Sequence, residues 1–228
     1  MDLHEYQMAI LQKLIYKNDL RFTDLKIENL TSEHFTYHLK KLIEKNLIKK
    51  TIGGYELTIE GKDFIGRIDT VNLNIEKNPK VSVLIYIRRR KDKGNFEYLM
   101  SKRLKQPYLG KVGNITGKIK FGETFSQAAE RELEEETGLK ADLKLNHIYH
   151  KIRIDENRIP VQDGVFAVFI AMRLKGKIRQ TKEAKLFWTT LEKLYKRKDL
   201  FDDVKENFEV LLKNKFTVIE DKKEQIGF

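Results

Sequence analysis

The sequence predicts a two-part chain of α+β and α/β character: a small helical region with one hairpin, then a larger mixed domain. Three observations predict it. Residues 4–68 read as helix, helix, helix, hairpin, helix. A strongly apolar strand, Val81 to Ile87, opens the second part. A glycine-framed loop then leads into a helix, Phe125 to Thr137, that carries an unusual load of carboxylates.

Composition bounds the possibilities. A chain of 228 residues holds one large domain or two small ones. A hydrophobic content of 40% is enough for packed cores. Cysteine is absent, so disulfides and thiolate metal sites are excluded. That suits a reducing cytoplasm. No apolar run approaches the roughly 18 residues that a membrane helix needs, and the N-terminus lacks a signal-peptide pattern. A soluble cytoplasmic protein with no membrane partner is expected. The net charge is +11 and uneven. Residues 1–70 carry 11 basic and 11 acidic side chains, so the whole excess falls on residues 71–228. Anionic substrates such as nucleotides fit that sign, as does non-specific contact with RNA or DNA.

Taken in order, His4 to Lys17 places Met8, Ile10, Leu11, Leu14 and Ile15 at helical spacing. A short helix is expected over Phe22 to Glu28. Thr31 or Ser32 then caps a third, with Phe35, Leu39, Leu42 and Ile43 as its buried stripe and Tyr37, Lys40 and Lys41 outward. Leu47 to Ile52 and Tyr55 to Thr58 are strands around a Gly53-Gly54 turn, and Ile59 to Ile68 is the closing helix. This order, with the words HFTYHLKKLIEKNLI and YELTIEGKDF, resembles the winged helix-turn-helix domains of bacterial and archaeal regulators. The resemblance implies DNA contact by Tyr37, His38, Lys40 and Lys41 on the third helix, with Lys49 and Lys50 of the wing meeting phosphates. The region has no net positive charge, a poor footprint for DNA, so dimerisation or protein docking is the competing reading. His34 and His38 lie four apart, but no third ligand completes a metal set.

Val71 to Lys80 reads as a linker between domains 1–70 and 81–228. After the strand Val81 to Ile87, Arg88 to Asn95 is expected as a basic hairpin tip that could meet anionic partners, and Phe96 to Arg103 as the returning strand. Leu143 to Ile152 and Gly164 to Leu174 are further strands, with a polar loop from Arg153 to Asp163 between them. Lys182 to Trp188 leads into a helix from Leu191. Asp202 to Lys213 is the last long helix, and Phe216 to Phe228 a peripheral end.

The helix Phe125 to Thr137 organises the second part. Thr124 is its N-cap, Gln127 closes a capping box, and Gly138 suits a left-handed C-cap. Phe125, Ala128, Ala129 and Leu133 form its apolar stripe. Glu132, Glu135 and Glu136 fall on that same side, where like charges repel and unpaired burial is costly. A divalent cation relieves both, and hard oxygen ligands suit Mg²⁺ or Mn²⁺. Glu123 and Arg131 can pair and fix the preceding loop, framed by Gly117 and Gly122.

Gly117, Glu123, Arg131, Glu132, Leu133, Glu135, Glu136, Gly138 and Leu139 fill every defined position of the Nudix hydrolase signature, which this stretch resembles. Ile115-Thr116 departs from the Pro-Gly found there in many members. The resemblance implies an α/β/α sandwich around a mixed sheet and Mg²⁺-dependent cleavage of a nucleoside diphosphate linked to another group. Glu132, Glu135, Glu136 and the backbone near Gly117 would hold the metal. Glu135 or Glu136 would also activate water, while Glu123 and Arg131 hold the loop. Glu183, with Asp163 as runner-up, is the expected acid outside the signature. Arg103 is the expected phosphate contact. Phe166 and Trp188 are chosen, from a set that includes Tyr86 and Phe169, to stack on the substrate. A nucleotide-sensing transcriptional regulator is the alternative, and a homodimer is expected in either case.

Overall fold

The computed structural model describes residues 3–28, 30–68, 77–92, 94–106, 108–212 and 216–224. The chain forms two compact units, Met1–Lys77 and Asn78–Phe228.

In the first unit, α1 spans Glu5–Tyr16, α2 Phe22–Leu25 and α3 Ser32–Glu44. Strands β1 (Ile48–Lys50) and β2 (Tyr55–Leu57) pair antiparallel, and α4 (Ile59–Ile65) closes the unit. Thr31 caps α3 by accepting from the His34 amide, and Thr58 caps α4 by accepting from the Gly61 amide. Ile10, Leu11, Leu14, Leu25, Phe35, Leu42 and Ile48 are buried together as one core. Two expectations shift. The second helix is a single turn, Phe22–Leu25, and Lys13 Nζ donates to the Asp24 and Lys26 carbonyls at its end, at 3.1 and 2.8 Å. Ile43 lies outside the buried stripe and is 41% exposed.

The second unit is a mixed sheet of eight strands with helices on both faces. Its strands are β3 (Lys80–Asp92), β4 (Asn95–Arg103), β5 (Val112–Gly113), β6 (Ile115–Lys118), β7 (Leu139–Ile154), β8 (Pro160–Gly176), β9 (Ala184–Thr189) and β10 (Val218–Glu224). The order is β10-β7-β8-β3-β4-β5, with β6 on β3 and β9 on β4. β3 runs parallel to β8 and antiparallel to β4 and β6. Alternation along β3 feeds two cores. Val83, Ile85 and Ile87 pack with Ala128, Ala129 and Leu133 of α5 (Phe125–Thr137). Leu84 and Tyr86 pack on the other face with Leu194 of α6 (Leu191–Tyr195) and Phe208 of α7 (Val204–Leu212). Burial on both faces is why β3 is continuously apolar from Val83 to Ile87.

The structure corrects several boundaries. The basic stretch after Ile87 is ladder, not loop: Arg88, Arg89 and Arg90 pair with Tyr98, Glu97 and Phe96. Most of the polar stretch from Arg153 to Asp163 is also ladder, with Ile152 opposite Asp163 and Arg153 opposite Gln162. Its polar groups are tolerated because Arg153, 1% exposed, meets Asp202 and Asp221 at 2.7 and 2.8 Å. The C-terminal end is not merely peripheral, since β10 adds parallel to β7 and supplies Asp221. Phe125 is 43% exposed and leaves the apolar stripe of α5. The expected linker falls largely on residues 71–76, which lie outside the described residues. No helix among the described residues is long and apolar enough to cross a membrane.

Candidate active site

The site grows from the junction of β6 and α5. Thr124 accepts from the Gln127 amide while the Gln127 side chain accepts from the Thr124 amide, so both ends of the capping box close. At the other end Gly138 adopts φ 74°, the left-handed conformation that ends the helix without a Cβ penalty. Gly117 of β6 passes so close to α5 that an added Cβ would fall on the Glu132 carboxylate. Glycine here seats that carboxylate, at 9% residue exposure, against the sheet.

Arg131 ties the helix to the loop before it. Its Nε and Nη2 donate to the two Glu123 oxygens at 2.6 and 2.8 Å. Nη1 donates to Glu132 at 2.7 Å and Glu135 at 3.0 Å, and Nη2 also reaches the Lys118 carbonyl at 3.0 Å. The Lys120 amide adds a further bond to Glu123 at 2.9 Å. The guanidinium, with this amide, holds the Glu123 carboxyl down to about 2. Glu123 and Arg131 therefore form a brace, and neither lines the neighbouring cavity.

The third carboxylate differs. Glu136 lines a cavity of about 220 Å³ together with Arg103, Lys105, Phe166 and Glu183. Burial raises its pKa first, and the charges of Glu132 and Glu183 add to this against Lys105 and Arg103. Glu183 is ion-paired with Lys105. The deeper wall brings Asn114, Lys151, Gln162, Asp203 and Asn207. Lys151 is almost buried and meets Asp202 and Asp203, each at 3.0 Å. The buried Asn114 Nδ2 has no hydrogen-bond partner.

The expected residues thus divide. Gly117, Glu132 and Glu136 come together with Arg103, Glu183 and Phe166 around one helix end and one cavity. Trp188 does not reach it: it lies four residues beyond Ala184 on β9, about 13 Å along an extended strand. Its ring instead carries the Arg89 guanidinium at 4.2 Å. Asp163 is taken by His150 at 2.9 Å, and Tyr86 and Phe169 are core. In the first unit, Tyr37, Lys40 and Lys50 are exposed, Lys41 pairs with Glu44 and Lys49 with Glu56. His38 turns inward, its ring 4.7 Å from His4 and 5.4 Å from Tyr6, because it sits three residues after buried Phe35. The cavity residues Lys151, Asp203 and Asn207 carried no sequence signal beyond the alternation of Tyr149, Lys151 and Arg153 on one face.

The donor set fits a hard divalent cation. Glu132, Glu135 and Glu136 offer only oxygen, and the crowding that raises Glu136 is what a cation would relieve. Among the described residues no three acidic or imidazole groups already converge on one point, since Arg131 holds Glu132 and Glu135.

The second unit is thus an α/β domain with a mixed sheet, whose carboxylate-bearing helix stands beside a cavity lined by three basic and three acidic side chains. Residues 78–211 match the NUDIX domain model, and the chain belongs to that family, whose members are mostly pyrophosphohydrolases and typically use divalent metals. Residues 3–68 match a domain of unknown function (DUF7347). The Nudix domain of NrtR from Shewanella oneidensis, crystallised with ADP-ribose, superposes with TM-score 0.53 at 16% identity, covering 67% of this chain and 96% of that one. A MutT protein from Bacillus halodurans gives 0.51 at 21% identity, covering 63% and 90%. Both likenesses are of fold alone. A curated relative, an octanoyltransferase from Myxococcus xanthus, is 33% identical over 105 residues, 44% of this chain. The chain spans only 25% of that relative's length.

Proposed function

We propose that the second unit hydrolyses a phosphoanhydride in a nucleoside diphosphate linked to another group. The observation that carries this reading is Glu136, held at the end of α5 inside a cavity that also contains Arg103, Lys105 and Lys151. Glu132, Glu135, Glu136 and the backbone near Gly117 would hold Mg²⁺ or Mn²⁺. When bound, the cation neutralises diphosphate oxygens and lowers the pKa of water.

The chain's own residues do the rest. Arg131 and Glu123 fix the geometry of the loop and helix. Arg103 and Lys105 bind phosphate oxygens and stabilise the charge on the leaving phosphate. Phe166 offers a ring face to the base or sugar. Water oxygen bonds to phosphorus, the bridging P–O bond breaks, and the water proton passes to a carboxylate facing the cavity. Glu183, opposite Glu136, is the proposed acceptor. The ADP-ribose bound by the NrtR Nudix domain makes that compound the first to try.

The test is phosphate or nucleotide release from ADP-ribose, nucleoside triphosphates, dinucleoside polyphosphates and sugar nucleotides with Mg²⁺, wild type beside Glu135→Gln. Turnover of one compound, falling about 10²-fold in the variant, supports the reading. Absence of turnover across the panel sinks it.

A second reading rests on the first unit, which we take as a winged helix serving DNA binding or dimerisation. Exposed Tyr37, Lys40 and Lys50 on α3 and β1 favour DNA contact, and a nucleotide-sensing homodimeric regulator would combine both units. Binding of duplex DNA that survives Lys40→Ala and Lys50→Ala unchanged would exclude that surface.

A further inference from the structure

A cationic surface lies in the Nudix unit, apart from the cavity at Glu136. The ends of β3, β8 and β9 enclose an open groove of about 710 Å³. Arg88, Arg89, Arg90, Arg173 and Lys177 line it without an acidic side chain in the lining, although Glu97 pairs with Arg89 and Asp142 with Arg173 from just outside it. Hydrolysis at Glu136 makes no use of it.

The groove is more than a collection of solvated charges. Glu97 accepts from Arg89 Nε and Nη2 at 3.0 and 2.7 Å, which holds the guanidinium over the Trp188 ring, 4.2 Å from its centre. The Arg88 guanidinium lies 4.7 Å from the Phe96 ring centre, its Nη2 donates to Met172 Sδ at 3.3 Å, and its Nε has no hydrogen-bond partner. Two cations are therefore held on aromatic rings, Arg89 on the side of the sheet that packs against α5 and Arg88, its neighbour on β3, on the other side at the strand end. Ring contacts and the ion pair explain why Arg88 and Arg89 are ordered. They do not explain Arg90 and Lys177, which are exposed and have no acidic partner among the described residues.

We propose that this groove binds single-stranded nucleic acid. Phosphates would lie on Arg90 and Lys177, with Arg173 joining them as it exchanges Asp142 for a phosphate, and one base would stack on the Arg89 guanidinium over Trp188. A single phosphate is too small for so wide a groove. A duplex hides its base faces from that guanidinium. A flexible strand offers both anionic charge and open π-faces.

Trp188 is the chain's only tryptophan, so its fluorescence reports directly on the groove. The experiment titrates the full chain with an oligothymidylate strand of about twelve residues and reads both Trp188 emission and anisotropy of the labelled strand. Expected are quenching of Trp188 and a log K against log salt slope of about −2 to −3.5, as three to five phosphate contacts give. Arg90→Glu with Lys177→Glu should weaken binding at least about tenfold, while hydrolysis at Glu136 and thermal stability stay unchanged. Binding without quenching, or binding that the double variant retains, places the strand elsewhere and overturns the proposal. Equal displacement by inorganic tripolyphosphate removes the stacking component and overturns the nucleic-acid assignment. No binding at low salt overturns it entirely.

Discussion

Replacing Gly117 by alanine probes the closest approach in the site. Gly117 pairs with Val83 in the sheet and carries no positive φ, so the backbone itself accepts alanine. The strain comes from the Cβ, which would occupy the place of the Glu132 carboxylate. Either β6 retreats from α5 or Glu132 leaves Arg131, to which it is bonded at 2.7 Å. Overpacking of this kind costs about 1–3 kcal/mol. At about 2 kcal/mol, the unfolding midpoint drops by about 4–8 °C for a domain of this size. Displacing a metal-facing carboxylate costs about 10–100-fold in activity or metal affinity. Scanning calorimetry gives the first number, and Mg²⁺-dependent turnover of the substrate found in the panel gives the second. Alanine with wild-type midpoint and wild-type turnover would refute the idea that glycine seats Glu132.

Further outcomes follow from other parts of the structure. Glu136→Gln removes a carboxylate that burial and two neighbouring acids destabilise when ionised, so the metal-free variant should melt higher than wild type at neutral pH; an equal or lower midpoint in EDTA would contradict this. Burial lowers the His147 imidazole to about 4. The stability it contributes is fully present above its unfolded value near 6.5 and is lost as pH falls from there toward 4. His147→Gln should remove that part of the acid slope in urea midpoints, and an unchanged slope would disprove the assignment. Asp221→Asn takes one partner from buried Arg153 and leaves Asp202, so a loss of about 2–3 kcal/mol in denaturant unfolding is expected. A loss near zero would mean that β10 is not held by this pair.

The sequence carried what depends on local chemistry. The caps, length and end of α5 follow from Thr124, Gln127 and Gly138 acting on their own helix. The two-faced burial of β3 follows from its unbroken apolar run. What it hid depends on distant partners. The turn end of the β7–β8 hairpin, from Arg153 to Asp163, looked like a loop because it is polar, and Arg153 finds its partners only in distant Asp202 and Asp221 while Asp163 meets His150 across the hairpin. Trp188 looked like a stacking residue because the sequence shows type but not distance along β9. Asp203 and Lys151 join the cavity wall only because α7 packs on the sheet face that carries Tyr149. Similarly, His38, expected as a DNA contact, is drawn against His4 and Tyr6 at the start of α1, which its own helix does not reveal.

Phosphoanhydride hydrolysis by the α5 carboxylates with a divalent cation, as proposed, requires both the cation and Glu136. The most direct measurement is turnover by wild type and Glu136→Gln, each with Mg²⁺ and with EDTA, on the compound the panel selects. Turnover is expected only for wild type with Mg²⁺, and at least about 10²-fold less for a variant that remains folded. Equal turnover by the folded Glu136→Gln variant, or full turnover in EDTA, would contradict it.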